Sequence, residues 1–306
     1  AGIRRRNPHP SPTEEPGPMR AVSVGQLLDL FRCFSSFIGD RSMYYLEPNI
    51  VRPLTEPVRL SYAELVGPRP VQYFVSHWWG MPLAYTMESL RRHAASVFKK
   101  LGVAEPEEVA YWICTFSNNQ HRLWEEVPEH WSDSSFYKAL QSGRCHGTCM
   151  VLDEKAMPLT RSWCLFELLQ TFLLEESQEE NFESFGGLSL LTNTGVLNDG
   201  SASIDVSMGL GNRLAELRLE HATSSVQHDK EMIDELVETE MGGFDLMNGK
   251  LRKKISEALE SAGSRAAKDF ERLYQRLNVN SNAPLALGGG AAVAAGTNSK
   301  VVRAAI

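Results

Sequence analysis

The 306-residue chain has no run of about 18 apolar side chains, the least that a membrane helix needs, and its Arg- and Pro-rich start lacks the apolar stretch of a secretory signal. Those two absences predict no membrane partner and a cytoplasmic location. Basic residues are not gathered anywhere, and 31 Lys and Arg against 38 Asp and Glu leave a net charge of −7. A phosphate backbone is held by clustered cations, so nucleic acid is not an expected partner. Cysteine is scarce and odd in number: Cys33, Cys114, Cys145, Cys149 and Cys164, three of them inside apolar runs, read as reduced thiols rather than a disulfide framework. No GxxxxGK[ST] loop and no GxGxxG after a strand is present, which disfavours P-loop and dinucleotide-fold chemistry; Met208-Gly209-Leu210-Gly211 lies in a helical context. Cys145, His146 and Cys149 lack the second CxxC or HxxxH that would complete a tetrahedral metal site, so no metal is expected. There is no internal repeat. A chain opening on Ala1 rather than Met is expected to be a processed form or a piece of something longer.

What is present is an ordinary globular composition, 42% hydrophobic and 9% aromatic, long enough for one large domain with extensions or for two domains. The first 20 residues hold five prolines and four arginines, so residues 1–22 are expected to form a disordered tail. Residues 23–70 read as an amphipathic helix capped by Ser23, with Leu27, Leu30, Phe34 and Ile38 at helical spacing, then a Pro-rich extended connector over 47–70.

Residues 71–200 alternate short apolar strands with helices. Val71–Ser76, Val109–Phe116, Thr148–Leu152 and a weaker Leu188–Leu197 read as strands. Helices are expected after Pro82, after Asp133 or Ser134, and over Trp163–Leu174. Strands joined by helical crossovers form a mostly parallel sheet with helices on both faces. Residues 201–280 read as C-terminal helices, with Ile204, Met208 and Ala215 on one face of the first, Leu210, Leu214 and Leu217 beside it, and a stripe of Phe244, Met247, Leu251, Ile255 and Leu259 further on; 281–306 is a Gly/Ala-rich tail.

Ligands of such sheets bind beyond the carboxyl ends of the strands. Those positions are Ser76–Gly80, Ser117–His121, Asp153–Arg161 and Asn198–Ser201. The Trp78-Trp79 pair beside His77 can stack on a flat ring or seal the sheet. The amides of Asn118, Asn119 and Gln120 can read a carboxamide or ribose, or form a plain turn. A cysteine nucleophile paired with His77 or His121 is disfavoured, because Cys114, Cys149 and Cys164 sit in apolar runs where a thiolate is costly. Glu167 is the one charged residue in the apolar helix after the third strand. Spacing alone places Glu167, Thr171 and Glu175 at i, i+4 and i+8, which favours a solvent-facing stripe.

The strand VQYFVSH and above all Arg161-Ser162-Trp163-Cys164-Leu165-Phe166-Glu167-Leu168 resemble the Toll/interleukin-1 receptor (TIR) domain family over about 130 residues, 71–200. The resemblance implies an α/β, flavodoxin-like (TIR-like) parallel sheet, here with N- and C-terminal helical extensions. TIR domains are self-associating signalling modules or enzymes that cleave NAD at its nicotinamide-ribose bond with a Glu on the third helix, which falls on Glu167. Carried over, the resemblance reverses the solvent-stripe reading and makes NAD a substrate rather than a cofactor. Ser76, His77, Trp78, Asn118 and Arg161 are the expected substrate-binding residues. The alternatives are a non-enzymatic TIR-like interaction module, with partners of its own kind, and a nucleoside-processing hydrolase. VSHWWG and the long loop over 117–133, rich in acid and carrying Trp124 and Trp131, depart from the family pattern.

Overall fold

The structure, a computed structural model, describes residues 7–128, 130–177 and 182–281. Its centre is a six-stranded mixed sheet made of β1 (Val22–Ser23), β2 (Tyr73–His77), β3 (Ala110–Trp112), β4 (Thr148–Val151), β5 (Leu188–Thr192) and β6 (Gly195–Val196), in the order β1-β3-β2-β4-β5-β6. The four middle strands are parallel, and the two-residue edge strands pair antiparallel. The parallel middle agrees with the mostly parallel sheet expected from the sequence, and the antiparallel edges make the whole sheet mixed.

Side chains along each strand alternate between two cores. Tyr73, Val75, Cys149, Val151 and Leu191 face α1 (Val24–Cys33) and α2 (Leu83–Val97), packing on Leu27, Leu30, Leu83, Met87 and Leu90. Phe74, Trp112, Met150 and Leu190 face α3 (Ser135–Leu140) and α4 (Ser162–Glu176), which in turn pack on α5 (Ile204–Glu216), α6 (Gln227–Leu236) and the first turns of α7 (Phe244–Ser281). Leu165, Phe166, Leu168, Leu169 and Phe172 of α4 are all within 1% of full burial, so most of this helix is enclosed and only its last residue, Glu176, is exposed. The chain divides into two compact units, residues 1–266 and 267–306; everything above concerns the first. In the second, Phe270, Leu273, Tyr274 and Leu277 are exposed.

Several local expectations change. Residues 7–22 are tied down rather than loose: the Asn7 N–H donates to the Leu65 carbonyl at 3.1 Å, the Thr13 N–H to Glu64 Oε1 at 2.8 Å, and Arg20 pairs with Glu64 at 3.0 Å and with Glu126. Few apolar side chains predicted disorder, but polar bonds to distant residues supply the order instead. The connector over 47–70 is largely helical: residues 43–55 form one helical run whose π-helical middle, Glu47–Val51, carries Pro48, and a capped helix follows at Tyr62–Val66. The second strand stops at Trp112 and turns into a short helix, Cys114–Ser117. The fourth strand is a tight hairpin of β5 and β6. On α5 the buried face is Ser207, Leu210 and Leu214, while Ile204 and Met208 are exposed. The expected tail over 281–306 and residues 1–6 lie essentially outside the described residues.

Among the described residues, no helix is long and apolar enough to cross a membrane.

Candidate active site

The chain leaves β2 to one side for β3 and to the other for β4, so the strand order reverses there and opens a crevice at the carboxyl ends of the strands. A cavity of about 330 Å3 occupies it. The end of β2 contributes His77, Trp78 and Trp79; the turn after β3 contributes Cys114, Asn118 and Gln120; the start of α4 contributes Arg161, Ser162, Trp163, Cys164 and Glu167. Tyr44, Leu123, Val127, Phe136 and the segment Thr223–Ser225 complete the wall.

Backbone bonds hold these parts in place. Arg161 is the extended N-cap of α4 and forms a parallel bridge with Thr223, and the Ser162 N–H donates to the Thr223 carbonyl at 3.0 Å. Trp163 and Glu167 are one helical turn apart. The Trp163 indole N–H donates to Asp229 Oδ2 at 2.9 Å, and its ring meets Phe136 and Phe166 edge-on at 5.5 and 5.9 Å between centroids. On the opposite wall the Trp79 indole donates to Cys114 Sγ at 3.1 Å.

The polar groups of the cavity are short of partners. Glu167 Oε2, both ring nitrogens of His77, Asn118 Oδ1 and Ser162 Oγ are out of reach of solvent and have no hydrogen-bond partner within the protein; Ser76 Oγ, immediately behind, is in the same state. An unsatisfied buried polar group costs about 1–3 kcal/mol. A ligand carrying complementary donors and acceptors would remove that cost.

Burial pushes the Glu167 carboxyl up to about 8, with the nearby Ser76 hydroxyl pulling the other way. Burial also holds the His77 imidazole down at about 4. At neutral pH without a ligand the cavity therefore contains a carboxylic acid and a neutral imidazole. Desolvation raises the Cys114 thiol to about 11 and Cys164 well above the usual thiol range, and Cys164 Sγ donates to the His77 carbonyl at 3.7 Å rather than to its ring. These thiols are poor nucleophiles. Elsewhere, Cys149 meets His93 at 3.6 Å in the core, with the thiol raised and the imidazole held down at about 4, both chiefly by burial. Among the described residues, no three His, Cys, Asp or Glu side chains converge as metal ligands would.

Of the residues expected to form a site, the structure brings Glu167, His77, Trp78, Asn118 and Arg161 into one cavity. Ser76 lies behind its wall, fully buried. The segment after β6 does not take part: Asn198 accepts from the Leu190 N–H at 2.6 Å and donates to the Leu188 carbonyl at 3.1 Å, a structural role. Gln120 spends its amide on the Cys114 and Thr115 carbonyls at 3.0 and 3.1 Å. Tyr44 and Thr223–Ser225 carry no local signal in the sequence. Ser162 sits inside the quoted motif, and its position at the start of an uncapped helix was the available clue. Comparison with protein-family models, with curated proteins and with solved structures finds no match for this chain.

Proposed function

We propose that this cavity hydrolyses an N-glycosidic bond, with NAD or a related nicotinamide nucleotide as substrate and Glu167 as the essential carboxylate. The observation that carries the proposal is Glu167 itself: a largely buried carboxyl in a cavity at the strand ends, lined also by His77 and Trp78, with Oε2 shielded from solvent and without a hydrogen-bond partner. The order of the four parallel strands, second-first-third-fourth counted along the chain, matches the first four of the flavodoxin order, with an antiparallel β6 in place of the fifth, and supports the TIR-like reading of the Trp163-to-Glu167 motif.

The chemistry follows from charge. A pyridinium ring entering the cavity beside Trp78 and Trp79 is a cation, which aromatic faces attract and which pulls the neighbouring Glu167 towards its ionised form. The bond from ribose C1′ to the ring nitrogen breaks with its electron pair passing to the nitrogen, so nicotinamide departs neutral. Glu167 stabilises the positive charge left on the ribosyl group, and water adds at C1′, its proton passing to the carboxylate or to solvent. A neutral His77 adds no opposing charge, and the free Asn118 Oδ1 can accept from a carboxamide or a ribose hydroxyl.

The test is nicotinamide release from NAD by the purified chain, followed by chromatography. Turnover that falls about 100-fold or more in Glu167→Gln supports the proposal. No release between pH 5 and 9 at any protein concentration refutes it. Leu123, Trp124 and Val127 are 42, 69 and 40% exposed beside the cavity and favour, in that event, a TIR-like interaction module.

A further inference from the structure

We propose that the α4 end of the cavity is a phosphate subsite, so that the preferred ligand is a nucleotide rather than a nucleoside. The inference rests on the glycoside reading for the other end of the ligand only. Ser162 is 1% exposed, lines the cavity, and its Oγ has no partner. It is the first residue of a 15-residue helix that no side chain caps, so the Trp163 and Cys164 N–H groups have no carbonyl within the helix to receive them. A helix start of this kind favours an anion. Arg161 precedes it and is the one Lys or Arg among the described residues that lines the cavity; no carboxylate among the described residues pairs with it. Ser224 and Ser225, beside Arg161, bring further hydroxyls to the lining, Ser224 Oγ also accepting from the Val226 N–H at 3.2 Å.

Two acids bear on an anion here: Asp229, which the neutral Trp163 indole hydrogen-bonds without cancelling its charge, and Glu167, whose burial favours the neutral form until a pyridinium enters. The Arg161 guanidinium and the open helix start act against them. Ser162 and Glu167 are five positions apart, ~7.5 Å along the helix axis. A ribose 5′-phosphate can place its C1′ at one end of that interval and its phosphate at the other.

The experiment uses the full chain in a Glu167→Gln background, so that no bond breaks. It is titrated calorimetrically at fixed ionic strength with nicotinamide mononucleotide, nicotinamide riboside and inorganic pyrophosphate, alone and with Ser162→Ala or Arg161→Gln added. The expected result is that the mononucleotide binds about tenfold or more tightly than the riboside, that pyrophosphate competes with it, and that the preference shrinks at least threefold in Ser162→Ala and nearly vanishes in Arg161→Gln. Because the Ser162 hydroxyl has no partner, Ser162→Ala should melt no lower than its parent, which separates lost binding from lost folding. Equal affinity for mononucleotide and riboside, a preference that survives both substitutions, or no binding of either mononucleotide or pyrophosphate overturns the subsite. Pyrophosphate binding that needs Arg161 and Ser162, in a chain whose unmodified form releases no nicotinamide, leaves the subsite standing and removes the glycoside reading.

Discussion

The hydroxyls of Thr148 on β4 and Thr171 on α4 are hydrogen-bonded at 2.7 Å, and Thr171 also reaches back to the Glu167 carbonyl at 2.7 Å. This bond is one of the contacts that set the rotation of α4 against the sheet, with those of Trp163 to Asp229 and Glu175 to the Leu188 N–H. The stripe that includes Glu167, Thr171 and Glu175 therefore follows the sheet rather than solvent: Thr171 is fully buried, and Glu175 accepts from the Leu188 N–H at 2.7 Å and pairs with Lys254 at 3.0 Å. Glu167 lies one turn nearer the helix start, where the strands end, and so meets the cavity.

The raised carboxyl of Glu167 makes stability depend on pH. Its folded value, about 8, lies above the ordinary 4.5, so the folded state holds the proton more tightly; the associated stability is complete below 4.5 and is lost as pH rises through 8. Gln does not titrate. Glu167→Gln is therefore expected to unfold at higher urea than the wild type at pH 9, by on the order of 2–4 kcal/mol, and to match it at pH 5. A difference that stays constant over that range would contradict the assignment.

His77 acts in the opposite direction. Its imidazole is held at about 4 against an ordinary 6.5, so stability is complete above 6.5 and falls as pH drops through 4. Comparing wild type with His77→Leu in thermal melts between pH 7 and 4 isolates this group from His93, which has the same sign. The wild type should lose about 2–3 kcal/mol more than the variant over that interval.

Arg20 joins two buried carboxylates, Glu64 and Glu126, that come from segments far apart in the chain. Arg20→Met leaves both without their cation and is expected to cost ~3–5 kcal/mol in urea unfolding. Adding Glu126→Gln should recover part of the loss, since the amide can still meet the Asn119 N–H that Glu126 accepts at 3.1 Å or the Ser135 hydroxyl. Equal stability of wild type and Arg20→Met would show that the N-terminal segment is held by other contacts.

The thiols should react in order of exposure. Cys145, Cys149 and Cys164 are buried with thiols pushed upward, whereas Cys33 is partly exposed. Alkylation of the native protein at pH 8, read by peptide mass spectrometry, should modify Cys33 first and leave those three intact until the chain is unfolded. Early modification of Cys164 would mean that the cavity opens more widely than its wall residues indicate.

The sequence determined what depends on neighbours along the chain. Ser23 and Ser134 cap helices because their hydroxyls reach N–H groups three residues on, and the apolar runs at 73–77, 110–112 and 148–151 form parallel strands because only helical crossovers join them. It also pointed to His77, Asn118 and Arg161, since residues following parallel strands share one edge of the sheet. Tertiary structure alone decided the rest. A nearly all-apolar helix has no strong amphipathic face to announce its rotation, so contacts across space, among them Thr171 with Thr148, Trp163 with Asp229 and Glu175 with the Leu188 N–H, turn Glu167 inward. Nor does composition reveal that Arg20 meets Glu126 at a separation of 106 residues, or that Thr223–Ser225 close the cavity beside Arg161. Polar partners are chosen across space, by whichever buried group would otherwise lose its hydrogen bonds, and that choice leaves no periodic trace in the chain.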